Sequence, residues 1–405
     1  MKIVLANKYY YLHRGAERYL FELEDLLRKH GHETVPFAMA DGRNRKTPWE
    51  KFFVSPVQTA KVTMDWQGLR TAGRLLYSFE ARKKFAALLD AAKPDLVHVQ
   101  NIYHQISPSI LPEARRRRIP VVLTAHDYAL LAPNYGLFHD GAICNHTKPD
   151  RYWQAVKYRC VKGSRLASAL AAAGMSLHKA LGLYEKNVDM VIVQTRFLRD
   201  KFIEYGWPAK RLTQPLPPFV DAAAWTPRYE GDYALFVGSL TPEKGIDVLI
   251  RAAAGVKSMP LKIVGTGPEE MRLKALAKKL KADNVEFCGF LSDDPLVQKY
   301  AQARFLVLSS MSYETAGLIT LEAYAAGKPV IASKIGGLAE MVRHEKTGLQ
   351  VAAGDVDELA EAMEKLWSDP ARAADYGRQG RAWVERDFSP EKHYDRLMEV
   401  YRSIV

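Results

Sequence analysis

The sequence predicts an α/β protein made of two doubly wound, parallel-sheet domains. Three observations lead there. The chain has 405 residues, more than one hydrophobic core usually organises. Short, almost continuously apolar runs alternate with amphipathic stretches, as in strands buried on both faces by crossover helices. The alternation breaks once, at a proline-rich segment, and then restarts.

In the first half the apolar runs are Lys2–Ala6, Thr34–Ala38, Leu96–Gln100, Pro120–Thr124 and Met190–Gln194, each read as a strand. Glu17–His30 and Ser78–Asp90 have the spacing of helices that cover them. The break falls at Gln214–Asp221, where Pro215, Pro217 and Pro218 cannot continue a helix or a central strand. The pattern resumes with Tyr233–Gly238, Leu261–Gly265, Val285–Cys288, Phe305–Ser309 and Val330–Ser333. The expected domains are therefore 1–220 and 221–389. In such sheets ligands sit beyond the carboxyl ends of the strands, here the cleft between the two halves.

Composition narrows the class. A hydrophobic content of 48% belongs to a chain that folds around a core. Cys144, Cys160 and Cys288 are too few and too scattered for a disulfide framework, which fits a reducing cytoplasm. Lys2–Ala6 is too short for a secretory signal, and no apolar run reaches membrane-spanning length. The net charge of +12 is uneven: residues 1–220 hold 34 Lys and Arg against 19 Asp and Glu, and residues 221–405 hold 24 against 27. Residues 151–184 carry Arg151, Lys157, Arg159, Lys162, Arg165 and Lys179 with no acidic residue, interleaved with Trp153, Leu166 and Leu177. Residues 61–84 and the run Arg115–Arg118 repeat the theme. Solvated helix faces would look the same segment by segment. The asymmetry favours a basic first domain that lies on an anionic membrane surface. Nucleic acid is disfavoured because no binding motif accompanies the charge. The chain is thus expected in the cytoplasm, peripheral at the inner face of the membrane.

The segment richest in chemistry runs from Tyr313 to Val330. Glu314 falls in the loop after a strand, and Glu322 about two turns into the following helix. Free backbone N–H groups around Ala316, Gly317 and Leu318 form an anion site at the helix start, suited to a diphosphate. Two glutamates eight apart are common on solvated helices; Gly317, Gly327 and Pro329 around them are what make this pair unusual.

This constellation resembles glycosyltransferase family 4, retaining enzymes of the GT-B fold, in which two Rossmann-like domains face each other across a cleft. The resemblance runs through most of the chain and points to bacterial surface-polysaccharide enzymes. It implies that Glu314 contacts the transferred sugar and Glu322 the ribose. Val237–Asp247 is similar to the family's segment GRL-x-x-EKG-x-D, which makes Lys244 the cation on the donor diphosphate. Val264-Gly265-Thr266-Gly267-Pro268 and Cys288-Gly289-Phe290 resemble strand ends near the base. Gly336-Gly337 suits close backbone approach to phosphate. Gly15, at the start of the first helix, would lie beside the diphosphate; the family usually has a second glycine where this chain has Arg14. His126, in Thr124-Ala125-His126-Asp127-Tyr128, is the first-domain catalytic candidate by resemblance and a satisfied structural histidine without it. The resemblance also implies that the helical stretch 390–405 packs back on the first domain.

One departure bears on the chemistry. Ser239 stands where the family often has Arg, so one of two cations for the leaving diphosphate is missing. The expected activity is retaining transfer of a hexosyl group, from a UDP-sugar ahead of a GDP-sugar, to a lipid-linked or other saccharide acceptor. No metal or other cofactor is expected. Lys244 and helix N-termini would stabilise the leaving group, and Cys144, His146 and Cys160 are too few for a zinc site. A sensor that binds donor without turnover and a nucleotide-sugar epimerase are the alternatives. A dehydrogenase is disfavoured, because no Gly-x-Gly-x-x-Gly follows the first strand.

Overall fold

β1 (Lys2–Ala6) pairs in parallel with both β2 (Glu33–Phe37) and β3 (Leu96–Val99), and β3 continues to β4 (Val121–Thr124). A two-residue antiparallel pair, β5 (Phe138–His139) and β6 (Ala142–Ile143), projects from the chain before β7 (Met190–Ile192) closes this sheet. The resulting order is β2-β1-β3-β4-β7. The second sheet is made of β8 (Tyr233–Val237), β9 (Leu261–Val264), β10 (Val285–Gly289), β11 (Ala303–Leu308), β12 (Val330–Ser333) and β13 (Gly348–Val351), in the order β10-β9-β8-β11-β12-β13. Every pairing in both sheets is parallel. The computed structural model describes residues 1–57 and 66–405. Two facing Rossmann-like sheets make this the GT-B architecture. Lys61–Asp65 of the basic stretch 61–84 lie outside the described residues.

Burial on both faces explains the apolar strands. Val4, Val35, Val97, Val121 and Val191 of the first sheet face one core, which the helix Phe79–Ala92 covers. Ile3, Leu5, Leu96, Val122 and Ile192 face another, with Leu20, Leu23 and Leu27 of the helix Gly15–Lys29. The second sheet is likewise enclosed between two cores. The proline-rich segment passes from one unit to the other. Leu216 and Phe219 bury against the first sheet, and Val220 and Ala222 against the second.

β13 extends the second sheet beyond the five expected strands. Its sequence, Gly-Leu-Gln-Val, is short and interrupted, so periodicity does not mark it. Gly348 takes φ +157°, and a Cβ there would lie 1.8 Å from the Val330 carbonyl oxygen. Close strand pairing therefore depends on the absence of that side chain. Glu322 sits lower in its helix than spacing suggested. Gly317, at φ +79°, caps the helix Leu318–Ala325, which makes Glu322 its fifth residue.

The last helix, Pro390–Arg402, lies against the helix Gly15–Lys29. Its N-cap is Ser389, whose hydroxyl accepts from the Lys392 N–H. His393 meets the Tyr19 hydroxyl at 3.0 Å through Nε2 and the Pro217 carbonyl at 3.0 Å through Nδ1. Tyr401 reaches His98 at 2.6 Å, and the other nitrogen of that ring meets the Thr124 hydroxyl at 2.7 Å. Burial, helped by neighbouring histidines, lowers the pKa of His98 to about 3, and burial, with Arg396 adding to it and the Pro217 carbonyl opposing it, lowers that of His393 to about 3. Both are therefore neutral in the fold and would gain a proton on unfolding below about pH 6.5.

A pH dependence follows. The unfolded chain binds the extra protons, so stability from these histidines is present near neutrality and is lost as pH falls from about 6.5 towards 3. Each contributes about 1.4 kcal/mol per pH unit in that window. Glu22 and Asp127, raised by burial to about 7 and about 6, act in the opposite direction and reduce the net slope. Imidazole 15N NMR at pH 5 is expected to find His98 and His393 neutral, and urea unfolding to find the midpoint lower at pH 5 than at pH 7.

Candidate functional site

The order of the second sheet reverses between β8 and β11, so the loops leaving these neighbours diverge and open a crevice. The loop after β8 carries Ser239 and Lys244; the loop after β11 carries Ser310 and Glu314. Backbone contacts join the two loops. The Met311 N–H donates to the Glu243 carbonyl at 2.8 Å, and the Ser309 hydroxyl to the Lys244 carbonyl at 3.0 Å. Gly245 permits this approach. It has φ +60°, and a Cβ on it would stand 2.1 Å from the Ser309 carbonyl oxygen.

The Lys244 ammonium consequently lies 2.5 Å from Glu314 Oε1, which also accepts from the Ser310 hydroxyl at 2.9 Å. Burial works against the Glu314 carboxylate, yet Lys244 and Ser310 hold its pKa below the ordinary value. Lys244 is thus half-buried and paired rather than free in solvent. Next to it, the N–H groups following Gly317 open the helix Leu318–Ala325. An ammonium and a helix N-terminus, each suited to an anion, thus stand at the two ends of the segment Glu314–Gly317.

The glycines behind this loop pack closely against it. A Cβ on Gly336 would meet Glu314 N at 2.8 Å, and one on Gly337 would meet the Thr315 carbonyl oxygen at 2.3 Å. Gly337 N–H also donates to the Glu314 carbonyl at 2.7 Å. Their close approach is to the loop bearing Glu314, which they hold in place. Similarly, Gly265 and Gly267 lie under the backbone of Gly238 and Leu240, where a Cβ would be 1.8 Å and 2.3 Å from the carbonyl oxygens. Phe290 lies just beyond β10 and is 68% exposed.

The first sheet brings its own loops to the cleft. Gly15 opens the helix Gly15–Lys29, where a Cβ would meet nothing within 4 Å, so space remains in front of it. His126 follows β4, its Nε2 2.5 Å from Gln100 Oε1 after β3. Burial and then Lys8 lower the pKa of His126 to about 4, so the ring is neutral at pH 7 and can exchange hydrogen bonds without carrying charge. The amide nitrogen of Gln100 is buried without a partner among the described residues.

Contacts across the cleft join the two sets. The Thr315 hydroxyl donates to the His126 carbonyl at 3.3 Å, and the Thr195 hydroxyl to the Thr315 carbonyl at 2.9 Å. Glu340 accepts from the N–H groups of Arg196 and Phe197, at the positive end of the helix Arg196–Glu204. Arg18 reaches across to Glu322 at 3.0 Å and pairs with Glu22 at 3.1 Å. Glu322 also accepts from the Tyr300 hydroxyl at 2.8 Å. Burial raises the pKa of Glu322 and Arg18 offsets that in part. Arg18 escapes sequence reading because one arginine on an amphipathic helix looks like any solvated charge. Its one useful signal is its place, one turn after Gly15.

Other sequence expectations fare differently. Arg14 is the N-cap residue of its helix, and Arg18 rather than Arg14 reaches the second domain. In the run Arg115–Arg118, Arg115 pairs with Asp189, Arg116 with Glu113, and Arg117 with Asp90 and Glu113. Those charges are largely neutralised within the protein. Among the described residues no three His, Cys, Asp or Glu side chains group as a metal site.

Comparison with known proteins brings in a family. The chain matches the model of the glycosyl transferase 4-like domain over residues 14–215 and that of glycosyl transferases group 1 over 222–383. It is 35% identical over 220 residues to a GDP-mannose-dependent alpha-(1-6)-phosphatidylinositol monomannoside mannosyltransferase of Mycobacterium tuberculosis. That match takes in 48% of this chain and 57% of the relative. A 42.6 kDa protein in the cps region of Klebsiella pneumoniae, itself uncharacterized, is 26% identical over 85% of this chain and 88% of its own. Among solved structures, Anabaena Alr3699/HepE in complex with UDP and glucose shares the fold along both whole chains, with a TM-score of 0.70 and 19% identity.

Replacing Gly245 by valine is expected to force the two loops apart. Unfolding in urea should show a loss of about 2 kcal/mol or more, and calorimetric titration should show nucleotide binding weakened with it.

Proposed function

The chain belongs to the group 1 glycosyl transferases, with a family 4-like first domain, and from that premise we propose that it transfers a hexosyl group from a nucleoside diphosphate sugar to a saccharide acceptor. The observation that carries this reading is the meeting of Lys244 and Glu314 at a helix N-terminus, with the His126 loop hydrogen-bonded to the same segment through Thr315. Lys244 and the N–H groups from Ala316 to Leu318 hold the diphosphate. Glu314 and neutral His126 orient the sugar. Glu322, freed from Arg18, takes the ribose diol. Gly265, Gly267 and Phe290 border the base, and Gly15 lets the first helix approach the phosphates.

The transfer proceeds with retention. The bond from the anomeric carbon to the diphosphate breaks while the acceptor oxygen bonds to the same face. The departing diphosphate takes the acceptor proton, so the protein supplies position and charge rather than a nucleophile. The reaction needs no metal ion in this scheme. Ser239 leaves one cation absent, and Arg18, which crosses the cleft to Glu322, is the candidate to replace it.

The relative with 35% identity is named for GDP-mannose, and the HepE structure holds UDP, so GDP-mannose and UDP-sugars are both candidates, the former first. The acceptor is lipid-linked in this reading, and the first domain rests on an anionic membrane. Support comes from the acid-free stretch 151–184, whose Trp153, Leu166 and Leu181 are exposed beside its cations. The same reading places the protein at the cytoplasmic face of the membrane.

Nucleotide release from GDP-mannose, UDP-glucose and UDP-galactose, with and without bacterial lipid extract, tests the transferase. Release that depends on one donor, rises with lipid and falls about 100-fold or more in both Glu314→Ala and Lys244→Met is expected. Donor binding without release would favour a sensor, with Ser239 as its cause. Co-sedimentation with vesicles should favour anionic over neutral lipid, and equal binding to both would exclude the membrane reading.

A further inference from the structure

The loop that carries Glu314 is gripped by the first domain on both sides of that residue. Tyr313, just before it, belongs to the second domain yet packs against the core of the first that the helix Phe79–Ala92 covers. Its ring centre stands 4.6 Å from that of Phe197, at an interplanar angle of 55°, and 6.3 Å from that of Tyr128. Tilted pairs at these separations are favourable, because the positive edge of one ring turns towards the negative face of the other. The Lys201 ammonium lies 5.1 Å from the Tyr313 ring centre and 5.6 Å from that of Phe197, and an ion pair with Glu204 at 2.7 Å holds it there. Thr315, just after Glu314, is held from the same domain by the Thr195 hydroxyl and the His126 carbonyl.

Thr195, Phe197 and Lys201 all lie on the helix Arg196–Glu204 or are its N-cap. Glu340 of the second domain fixes the start of that helix by accepting from the Arg196 and Phe197 N–H groups. Gly336 backs the loop so closely that a Cβ on it would stand 2.9 Å from the Tyr313 Cα. Among the described residues, however, the ring contacts of Tyr313 are all with the first domain. Glu314 takes its side-chain partners, Lys244 and Ser310, from its own domain. The backbone that aims it is held at both neighbours from across the cleft. Separating the domains removes the seat of the Tyr313 ring and two hydrogen bonds of Thr315 together.

We propose that Tyr313 is a positioning residue: docking of its ring on Phe197 couples closure of the two domains to the placing of Glu314 against the transferred sugar. The second domain then binds donor whether the cleft is open or closed, and the donor is turned over only when it is closed. The inference rests on the transferase reading for the sugar, and on the contacts across the cleft for the coupling.

The test uses the full chain with Tyr313→Ala, Tyr313→Phe, Phe197→Ala and the double alanine variant. Nucleotide release is measured at saturating GDP-mannose, UDP-glucose and UDP-galactose with bacterial lipid extract, and GDP and UDP binding by calorimetric titration. Tyr313→Ala and Phe197→Ala should each lower kcat about tenfold or more, while the nucleotide Kd changes by less than about threefold. Phe197 stands in the first domain, so the same loss from either side of the pair is the signature of the contact. The double variant should be no slower than the slower single one, because both substitutions remove one interaction. Tyr313→Phe keeps the ring and should recover most of the loss. Full kcat in Phe197→Ala, a nucleotide Kd that weakens in step with kcat, or losses that multiply in the double variant would overturn the proposal. So would a lower melting temperature in Tyr313→Ala with kcat intact, the mark of a merely structural ring. Wild-type protein that releases nucleotide from none of the three donors removes the transferase reading and this proposal with it. A wild type that turns over beside an unaffected Phe197→Ala removes this proposal alone.

Discussion

The ion pair between Lys244 and Glu314 depends on the reversal of strand order in the second sheet. β8 and β11 are neighbours, but the chain winds away from them in opposite directions, so their loops share an opening that no crossover helix covers. Gly245 closes the remaining distance by giving its side-chain volume to the Ser309 carbonyl. Gly336 and Gly337 do the same from the other side for Glu314 and Thr315. The charged groups of the site are therefore carried on loops whose positions are set by backbone contact. This rigidity is what a preorganised electrostatic site requires.

The cleft is closed by comparatively weak means. Arg18 with Glu322, Thr195 with Thr315, Thr315 with His126 and Glu340 at a helix N-terminus are single polar contacts, of which those of Glu322 and Thr195 involve buried groups. The neutral hydrogen bonds are each worth on the order of 1 kcal/mol. A ligand that replaces a few of them can open and reclose the cleft from its own binding energy. Glu322 illustrates the exchange. Its carboxylate is buried and bonded by Arg18 and the Tyr300 hydroxyl, so a group that displaces Arg18 must supply donors to the same oxygens.

Much of the fold could be read from the sequence because parallel strands buried on both faces leave long apolar runs. All ten of those runs coincide with strands, the edges shifting by one or two residues. β13 escaped because a glycine and a glutamine interrupt four residues. The site was legible where chemistry and backbone demands coincide, as at Lys244-Gly245 and Glu314–Gly317. It was not legible where a residue matters only through what lies across the cleft, as with Arg18 and Glu340. Nor does the sequence tell a glycine with open space before it from one packed against another loop. Gly15 has open space before it, while Gly336 and Gly337 face protein.

The final helix has a consequence for how the protein comes into being. His98, in the middle of the first sheet, finds its partner in Tyr401, and Tyr19 finds His393. A ribosome making this chain finishes the first sheet nearly two hundred residues before it makes the helix that seals it. Through that interval Ile3, Leu5 and Leu96 lack part of their cover, and His98 lacks a hydrogen bond. The second domain, complete in itself, forms in the meantime on a tether of prolines. The order of synthesis and the order of completion are thus opposed: the part begun first is the last to be finished, and the nascent first domain is a natural client for chaperones until the terminus is released.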